Sequence, residues 1–259
     1  MTYFPATASE PLPATVILAG GKGTRLAPLT LVLPKPLVPL VDGPIIDVLL
    51  RQLRSQGWTT ATLAVGHMAE LMRAYCGDGA RYELDLDYLQ EIEPLGTVGP
   101  LAFLPEDRIA DGVLAMNGDL LTTLRFPEFI AAHRGSNAIA TVAVYCRSVQ
   151  MEFGVLEVDG ELGEGIRQVK SYREKPQIPA LVSMGIYLFE PEALRYIEKG
   201  RPLDLPDLIH KLLADNQPVG SYAFGGYWLD IGRHSDYQQA IDDFASIKDA
   251  LLPPVEAAR

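Results

Sequence analysis

The sequence has only two cysteines in 259 residues, Cys76 and Cys146, and neither belongs to a CxxC pair or a Cys/His cluster. This scarcity excludes a disulfide framework and predicts two reduced, buried thiols. No run of eighteen apolar residues is present, so no membrane-spanning helix is predicted. Residues 1–13 lack a basic segment followed by an apolar one, which predicts an irregular leader rather than a secretion signal. A cytoplasmic location is therefore expected.

An excess of basic residues is also missing, because the net charge is −11 at pH 7. Nucleic acid is therefore not the expected partner, since a phosphate backbone is bound by a basic face. A nucleotide is not excluded, because a few lysines and arginines can dominate the field inside one cleft.

The chain shows no internal repeat, no low-complexity linker and no abrupt change of composition. A hydrophobic content of 48% is sufficient for one substantial core. We therefore expect a single domain over residues 14–248, with the leader before it and a frayed tail over residues 249–259.

Short apolar runs alternate with helical patterns in the first half, which predicts parallel strands joined by crossover helices and hence an α/β, Rossmann-like domain. A helix is predicted from Pro44, whose fixed φ suits a first turn, to Gly57. In the second half the apolar runs are longer and suggest hairpins, so the predicted sheet is mixed but mostly parallel. The predicted strands are 15–19, 61–65, 84–89, 113–116, 138–145, 153–158, 169–172 and 184–189, and the last helix is predicted over 234–247.

A glycine-rich segment with clustered positive charge follows the first predicted strand. Its glycines allow the backbone to approach phosphate oxygens closely, and Lys22, Arg25 and Lys35 supply positive charge. It is not a P-loop, since Thr24 follows the last glycine of the run where a lysine is required. It is not the dinucleotide fingerprint either, since Leu26 stands where a third glycine is needed. The segment therefore predicts another kind of polyanion site.

Two carboxylates follow apolar strands, at the sheet edge where ligands bind in open α/β folds. Asp119 ends the turn Asn117-Gly118-Asp119, and Asp230 lies in the segment 227–232. Carboxylate oxygens suit Mg²⁺. For the first segment alone, an ordinary Asn-Gly-Asp turn is an equally good interpretation.

Residues 20–30 read GGKGTRLAPLT, and they are followed by PKPL at 34–37 and Pro-Ile at 44–45. These motifs resemble the signature of the sugar-1-phosphate nucleotidyltransferases, and the resemblance extends from about residue 14 to about residue 243. It implies a glycosyltransferase-A-like fold and an enzyme that joins an NTP and a sugar 1-phosphate to an NDP-sugar, with release of pyrophosphate. The C-terminal β-helix of hexapeptide repeats that many relatives carry is not expected here.

The resemblance also implies roles for individual residues. Asp119 and Asp230 would hold the catalytic Mg²⁺, and Lys175 would bind the phosphate of the sugar. The expected catalytic residues are Arg25, Lys35, Asp119, Lys175 and Asp230. The expected nucleotide-binding residues are Leu18, Ala19, Gly20, Gly21, Lys22, Gly23, Thr24, Arg25, Glu91, Pro94, Gly96, Thr97 and Asn117. The expected sugar-phosphate-binding residues are Gly154, Glu174, Lys175 and Ser183.

Residues 88–97 resemble the base-reading region of the family, where thymidylyl- and uridylyltransferases tend to have a glutamine at the position of Glu91. A carboxylate only accepts hydrogen bonds and guanine offers two adjacent donors, so Glu91 favours GTP. The region looks similar to that of mannose-1-phosphate guanylyltransferases. Transfer of a thymidylyl, uridylyl or adenylyl group stays open, and so does a non-catalytic regulatory subunit that binds a nucleotide sugar.

The identity of the sugar is left open by the sequence. Ser183 stands where relatives often have asparagine, and a shorter side chain reaches other substrate oxygens. Mannose stays open, and glucosamine, heptose and cyclitol phosphates are all compatible. A homodimer is expected, since small enzymes of this kind commonly pair through one isologous face.

Overall fold

The computed structural model describes residues 11–91, 93–160 and 163–252, and its largest feature is a sheet of seven strands in the order β10-β6-β9-β4-β1-β2-β3. The strands are β1 Ala14–Ala19, β2 Thr60–Val65, β3 Asp85–Gln90, β4 Val113–Asn117, β5 Leu120–Thr122, β6 Ala140–Gln150, β7 Val155–Val158, β8 Val169–Arg173, β9 Gln177–Phe189, β10 Val219–Phe224 and β11 Trp228–Asp230. The helices are α1 Ile45–Ser55, α2 Ala69–Cys76, α3 Phe126–Arg134, α4 Pro191–Leu194, α5 Leu205–Ala214 and α6 His234–Leu251.

Six of the seven strands run in the same direction, and β9 runs against its neighbours β4 and β6. The predicted α/β fold with a mixed, mostly parallel sheet is therefore confirmed. Parallel neighbours end at the same edge of a sheet, which brings the segments after β1, β2 and β4 together. The glycine-rich segment and the turn that holds Asp119 both lie at this edge.

Helix α1 shows why the hydrophobic pattern is a good guide to this fold. Apolar residues at helical spacing form one stripe of this helix, and all four of them are buried: Ile45, Val48, Leu49 and Leu53. Leu49 and Leu53 belong to the cluster that covers one face of the main sheet. Ile45 and Val48 instead belong to a cluster with α6 and β11. The helix therefore joins the main sheet to the layer that holds the end of β11.

Strands β6 and β9 are longer than predicted. Beyond the sheet they continue as a two-stranded ribbon, in which Tyr145–Gln150 pair with Gln177–Val182, and β7 and β8 form a separate hairpin between them in the chain. The predicted strand 138–145 ends at Tyr145, whereas β6 continues to Gln150. The physical reason is that residues 146–150 are all exposed and include a single large apolar residue, Val149, so they show no hydrophobic alternation.

The last helix also continues beyond its predicted end. Helix α6 reaches Leu251, which is fully buried, so the first three residues of the predicted tail are helical. Residues 1–10 of the predicted leader and residues 253–259 of the tail lie outside the described residues, as do residues 161 and 162.

The two thiols have different environments. Cys76 is buried, as predicted, and burial raises its pKa to about 11. Cys146 is exposed on the ribbon, so the prediction that both are buried is wrong for this residue. None of the helices in the described part of the chain is long and apolar enough to cross a membrane.

Candidate active site

The turn after β1 is packed closely against the ends of two neighbouring strands. The Gly20 carbonyl accepts a hydrogen bond from the His67 N–H at 3.2 Å. A Cβ atom on Gly20 would lie 2.9 Å from Glu91 Oε1, and one on Gly66 would lie 3.1 Å from the Gly20 carbonyl oxygen. A side chain at Gly20 would therefore displace the Glu91 carboxylate, and one at Gly66 would press against the backbone of Gly20.

The rest of the glycine-rich segment folds back on itself and exposes its cations. Gly23 has φ +60°, and its carbonyl accepts a hydrogen bond from Thr30 Oγ1 at 2.8 Å. Lys22 and Arg25 are exposed, and neither has an ion pair with another described residue. Their positive charges are therefore free to bind a polyanion.

A cavity of about 320 Å³ lies between this turn and the ends of β2, β3 and β4, and we refer to it as the nucleotide-sized cavity. This volume is at the lower end of the roughly 300–1,000 Å³ of small-molecule sites. The cavity is lined by Leu18, Ala19, Gly20, Gly21, Lys35, Pro36, Ala64, Glu91, Pro94, Gly96, Thr97, Asn117, Gly118, Asp119 and Asp204. Most of the predicted nucleotide-binding residues are in this list, whereas Lys22, Gly23, Thr24 and Arg25 are not.

Glu91 lies in this nucleotide-sized cavity with one carboxylate oxygen already bonded. The Leu95 N–H donates to Glu91 Oε2 at 2.8 Å, and Oε1 lies on the side of Gly20. Burial raises the pKa of this carboxyl, and the hydrogen bond from Leu95 opposes that rise. A ligand donor at Oε1 would favour the ionised form.

Asp204 is a cavity residue that the sequence analysis missed. Its Oδ1 accepts hydrogen bonds from the N–H and the hydroxyl of Thr97, at 2.9 and 3.3 Å, and Thr97 Oγ1 accepts from the Leu205 N–H at 2.7 Å. Gly96 has φ +72°, and a Cβ there would lie 2.5 Å from the Leu203 carbonyl oxygen. The sequence shows Asp204 only as an acid before a helix, where a capping role is the usual interpretation.

The structure brings the two predicted metal ligands together. β11 pairs antiparallel with β5, so that Asp230 lies opposite Leu120, which directly follows Asp119. Lys35 lies between the two acids, in contact with Asp119 Oδ2 and with its Nζ 3.7 Å from Asp230 Oδ1. The ammonium of Lys35 therefore neutralises part of the charge of this pair.

The carboxylate pair is not electrostatically satisfied by Lys35 alone. Burial raises the pKa of Asp230, the charge of Asp119 raises it further, and Lys35 and Arg25 oppose both effects. In both aspartates Oδ1 is buried without a hydrogen-bond partner. Buried oxygens of this kind are costly unless a cation or donor binds them.

These two carboxylates fit a magnesium ion whose remaining ligands come from a substrate and from water. Mg²⁺ is usually held by one or two carboxylates together with substrate phosphates and water. No group of three or more His, Cys, Asp or Glu side chains suited to a metal occurs among the described residues. The residues present therefore fit an ion that Asp119 and Asp230 hold together with phosphate oxygens.

The predicted sugar-phosphate residues lie on and beside the ribbon. Glu174 and Lys175 are exposed in the connection between β8 and β9, where Gln150 Nε2 donates to the Lys175 carbonyl oxygen at 2.5 Å. Glu174 accepts a hydrogen bond from the Tyr172 hydroxyl, and that hydroxyl occupies the space that a Cβ on Gly154 would fill. The structure thus brings Gly154 and Glu174 together, outside the nucleotide-sized cavity.

Ser183 lies where the ribbon leaves the main sheet. Its Oγ is 2.6 Å from the Tyr187 hydroxyl and accepts a hydrogen bond from the Gly185 N–H at 3.2 Å. Gly185 has φ +72°, and a Cβ there would lie 2.5 Å from Asn117 Nδ2. Ser183 therefore supports the turn against which Asn117 packs.

Asp230 lines a smaller cavity of about 140 Å³. Trp228 is fixed there by its indole N–H, which donates to the Met184 carbonyl oxygen at 3.0 Å, and its ring centroid is 5.5 Å from that of Tyr145. The cavity is lined by Tyr145, Arg147, Trp228, Leu229, Asp230 and Gln239. No sequence motif marks Tyr145 or Arg147.

The fold and the site together define an α/β protein with a glycine-rich turn and paired carboxylates at the carboxyl edge of its sheet. Residues 14–246 match the family model described as nucleotidyl transferase. The chain belongs to this nucleotidyl transferase family.

Relatives in this family are named as nucleotidyltransferases that act on sugar 1-phosphates. The chain is 33% identical over 263 residues to the UTP–glucose-1-phosphate uridylyltransferase of Synechocystis. The aligned region covers 93% of this chain and 66% of that protein. It is 32% identical over 229 residues to mannose-1-phosphate guanylyltransferase 1 of Arabidopsis thaliana, covering 86% and 62%. The chain thus spans about two thirds of the length of these curated relatives.

A solved structure shares the fold. HddC from Yersinia pseudotuberculosis in complex with GMP-PN superposes with a TM-score of 0.68 at 23% identity, covering 90% of this chain and 100% of that one. The similarity extends over almost the whole of both chains, so the single-domain architecture is common to the two.

Proposed function

We propose that this chain transfers a nucleotidyl group from an NTP, with GTP preferred, to a sugar 1-phosphate and releases pyrophosphate. The observation that carries the proposal is the carboxylate pair Asp119 and Asp230, with unpartnered buried oxygens, beside the glycine-lined cavity. Names of relatives and the family model support the same class of reaction.

In this reaction an oxygen of the sugar phosphate attacks the α-phosphorus of the NTP. A new P–O bond forms there while the bond to the β-phosphate bridging oxygen breaks, and pyrophosphate leaves with the electron pair. The attacking phosphate is already anionic and needs no general base, so catalysis rests on positioning and on neutralising charge. A bound Mg²⁺ held by Asp119 and Asp230 would supply part of this neutralisation.

The cations of the site divide between the reacting groups. The exposed Arg25 is close enough to Asp230 to lower the pKa of that carboxyl, and it lies on the glycine-loop side, where it would bind the β- and γ-phosphates with support from Lys22. Lys35 lies between the carboxylates and would balance their charge as the phosphates arrive. Preorganised cations of this kind act without rearrangement during the reaction.

The preference for GTP is supported by the acids of the nucleotide-sized cavity. Glu91 offers Oε1 to a ligand, because Oε2 is bonded to the Leu95 N–H. Asp204 adds a second carboxylate to the same lining. Guanine presents a ring N–H and an exocyclic amine as donors, whereas uracil and thymine present two carbonyl acceptors around one N–H. Uridylyl transfer is the second candidate, because the Synechocystis relative bears that name.

The test measures pyrophosphate release with Mg²⁺ from GTP, dTTP, UTP, ATP and CTP, each with the 1-phosphates of mannose, glucose, glucosamine and a heptose. GTP-selective turnover is the expected result. The substitution Glu91→Gln should lower kcat/KM for GTP by about 10- to 100-fold, because an unpaired buried donor costs about 1–3 kcal/mol. UTP and dTTP should lose less, since an amide can both donate to and accept from their ring edge.

Glu93→Gln is the matched control, because Glu93 is two residues away and does not line the nucleotide-sized cavity. We expect it to leave the NTP preference unchanged. Selective turnover with UTP or dTTP by the wild-type chain would keep the reaction class and reject the preference for GTP. Turnover of none of these pairs by folded protein that still binds a nucleotide would favour a regulatory role.

The homodimer and the cytoplasmic location stay predictions. Sedimentation of the purified chain measures the first directly.

A further inference from the structure

Arg147 is a cation that has no ion-pair partner in the described part of the chain. It is exposed on β6, and no ion pair or hydrogen bond joins its guanidinium to another described residue. The neighbouring hairpin differs in this respect, because there Lys170 contacts Asp159 and Arg173 lies 3.8 Å from Glu157. In a chain of net charge −11, an arginine left without an ion pair beside the half-buried Asp230 needs another explanation than a surface ion pair.

The strand register shows which way Arg147 faces. Side chains two residues apart on a strand point to the same face, so Arg147 shares a face with Tyr145, whose ring packs near Trp228. Directly across the ribbon Arg147 is paired with Ala180, and Tyr145 with Val182. No carboxylate occupies the cross-strand positions next to the guanidinium, which leaves it open toward the small cavity.

The small cavity is suited to one part of a substrate. Its volume of about 140 Å³ is well below that of a site for a whole ligand, roughly 300–1,000 Å³. Asp230 lines it on one side, and Lys35 links Asp230 to Asp119 in the nucleotide-sized cavity. A group bound beside Arg147 would therefore lie next to the α-phosphate of a nucleotide in the larger cavity.

We propose that Arg147 binds the phosphate of the sugar 1-phosphate and so selects a phosphorylated second substrate. This inference rests on the proposed nucleotidyl transfer. A guanidinium matches phosphate oxygens through parallel hydrogen bonds, and its charge offsets the repulsion that Asp230 exerts on an anion. Lys175 and Glu174 line neither of the two cavities. Arg147 is therefore the cation that lines the small cavity beside Asp230.

The test compares the wild-type chain with Arg147→Gln and Arg147→Lys, with α-D-mannose 1-phosphate and α-D-glucose 1-phosphate as probes. Calorimetry measures the Kd of each sugar phosphate, and pyrophosphate release measures KM for both substrates. Arg147→Gln should raise the Kd and KM of the sugar phosphate by about 10-fold or more, since a charge-assisted contact is lost. The KM of the NTP should change by less than about twofold, and Arg147→Lys should recover part of the loss.

Arg195→Gln is the matched control for net charge. Arg195 directly follows α4, which begins just after the end of β9. The last residue of β9, Phe189, pairs with Val113, the first residue of β4, so Arg195 lies at the sheet edge opposite the site. Arg195→Gln should leave the Kd of each sugar phosphate and the KM of both substrates unchanged. An unaltered Kd for the sugar phosphate in Arg147→Gln, or an equal rise in both KM values, would overturn the assignment.

The binding measurement separates this inference from the proposed function. If the wild-type chain binds a sugar phosphate but releases no pyrophosphate, the proposed reaction is wrong, and the loss of binding in Arg147→Gln still supports the role of Arg147. If the wild-type chain binds neither probe, the assignment of Arg147 fails.

Discussion

Asp119→Asn is expected to lower kcat/KM for pyrophosphate release by about 10³-fold, the upper end of the loss seen when one preorganised charge-stabilising group is removed. The neutral amide keeps the shape of the side chain but cannot balance a cation among the reacting phosphates. Asp230→Asn should have an effect of the same size, because its carboxylate faces the same point from β11. Steady-state kinetics with saturating Mg²⁺ measures both.

Stability should not explain this loss. The two carboxylates repel each other, and each has one buried oxygen without a partner. Removing one charge relieves that repulsion, so the unfolding midpoint of either variant should equal or exceed that of the wild type. The double variant should be little worse than either single one, because groups that act as a unit are not additive.

Asp236→Asn is the control for a nearby acid that does not face Lys35. Asp236 lies in the first turn of α6, and its charge also raises the pKa of Asp230. We expect kcat/KM to fall by less than about threefold, since the removed charge belongs to neither of the two carboxylates beside Lys35 and is screened by solvent. A loss as large as that of Asp119→Asn would show that general charge, and not the carboxylate pair, governs the rate.

Lys35→Met is expected to lower both activity and stability. Lys35 is the one cation in contact with Asp119 in the described part of the chain, and its side chain is only 12% exposed. Its removal leaves two partly buried carboxylates facing each other, at a cost of about 2 kcal/mol in the free energy of unfolding after allowance for solvent screening at Asp230. The loss in kcat/KM should be about 10²-fold.

Denaturant unfolding with and without MgCl2 measures the stability effect independently of turnover. The cation should raise the midpoint of Lys35→Met more than that of the wild type, because it replaces the missing charge between the carboxylates. Lys248→Met is the matched control, since Lys248 contacts Asp42 in an exposed pair worth at most about 1 kcal/mol. Equal losses of stability in both variants would reject the special position of Lys35.

Much of the fold could be predicted from local patterns. The stripe of α1, with Leu49 and Leu53 among its buried residues, follows from helical periodicity, and the apolar runs of β1, β2 and β4 follow from burial on both faces. The ribbon could not be predicted in full. Residues such as Arg147 and Gln150 are exposed and show no hydrophobic alternation, and beyond Tyr145 the strand β6 pairs with β9 alone.

The candidate site divides in the same way. Asp119 and Asp230 both follow apolar strands, and the family resemblance implied that they meet at one metal ion. The structure places them on either side of Lys35. Asp204 could not be found, since it belongs to no motif and its link to Thr97 joins residues that are 107 positions apart. The roles of all these residues stay predictions until the variants are measured.

By itself, the sequence determined which segments become strands and helices and which glycines, cations and acids follow the strands, because hydrophobic periodicity and turn chemistry act between near neighbours. Only the tertiary structure decided that Lys35 lies between two carboxylates, with 84 residues separating it from Asp119, and that Arg147 faces the cavity beside Asp230. The physical reason is that strand order and register are set by the whole core, and a shift of one residue turns every side chain of a strand to the other face.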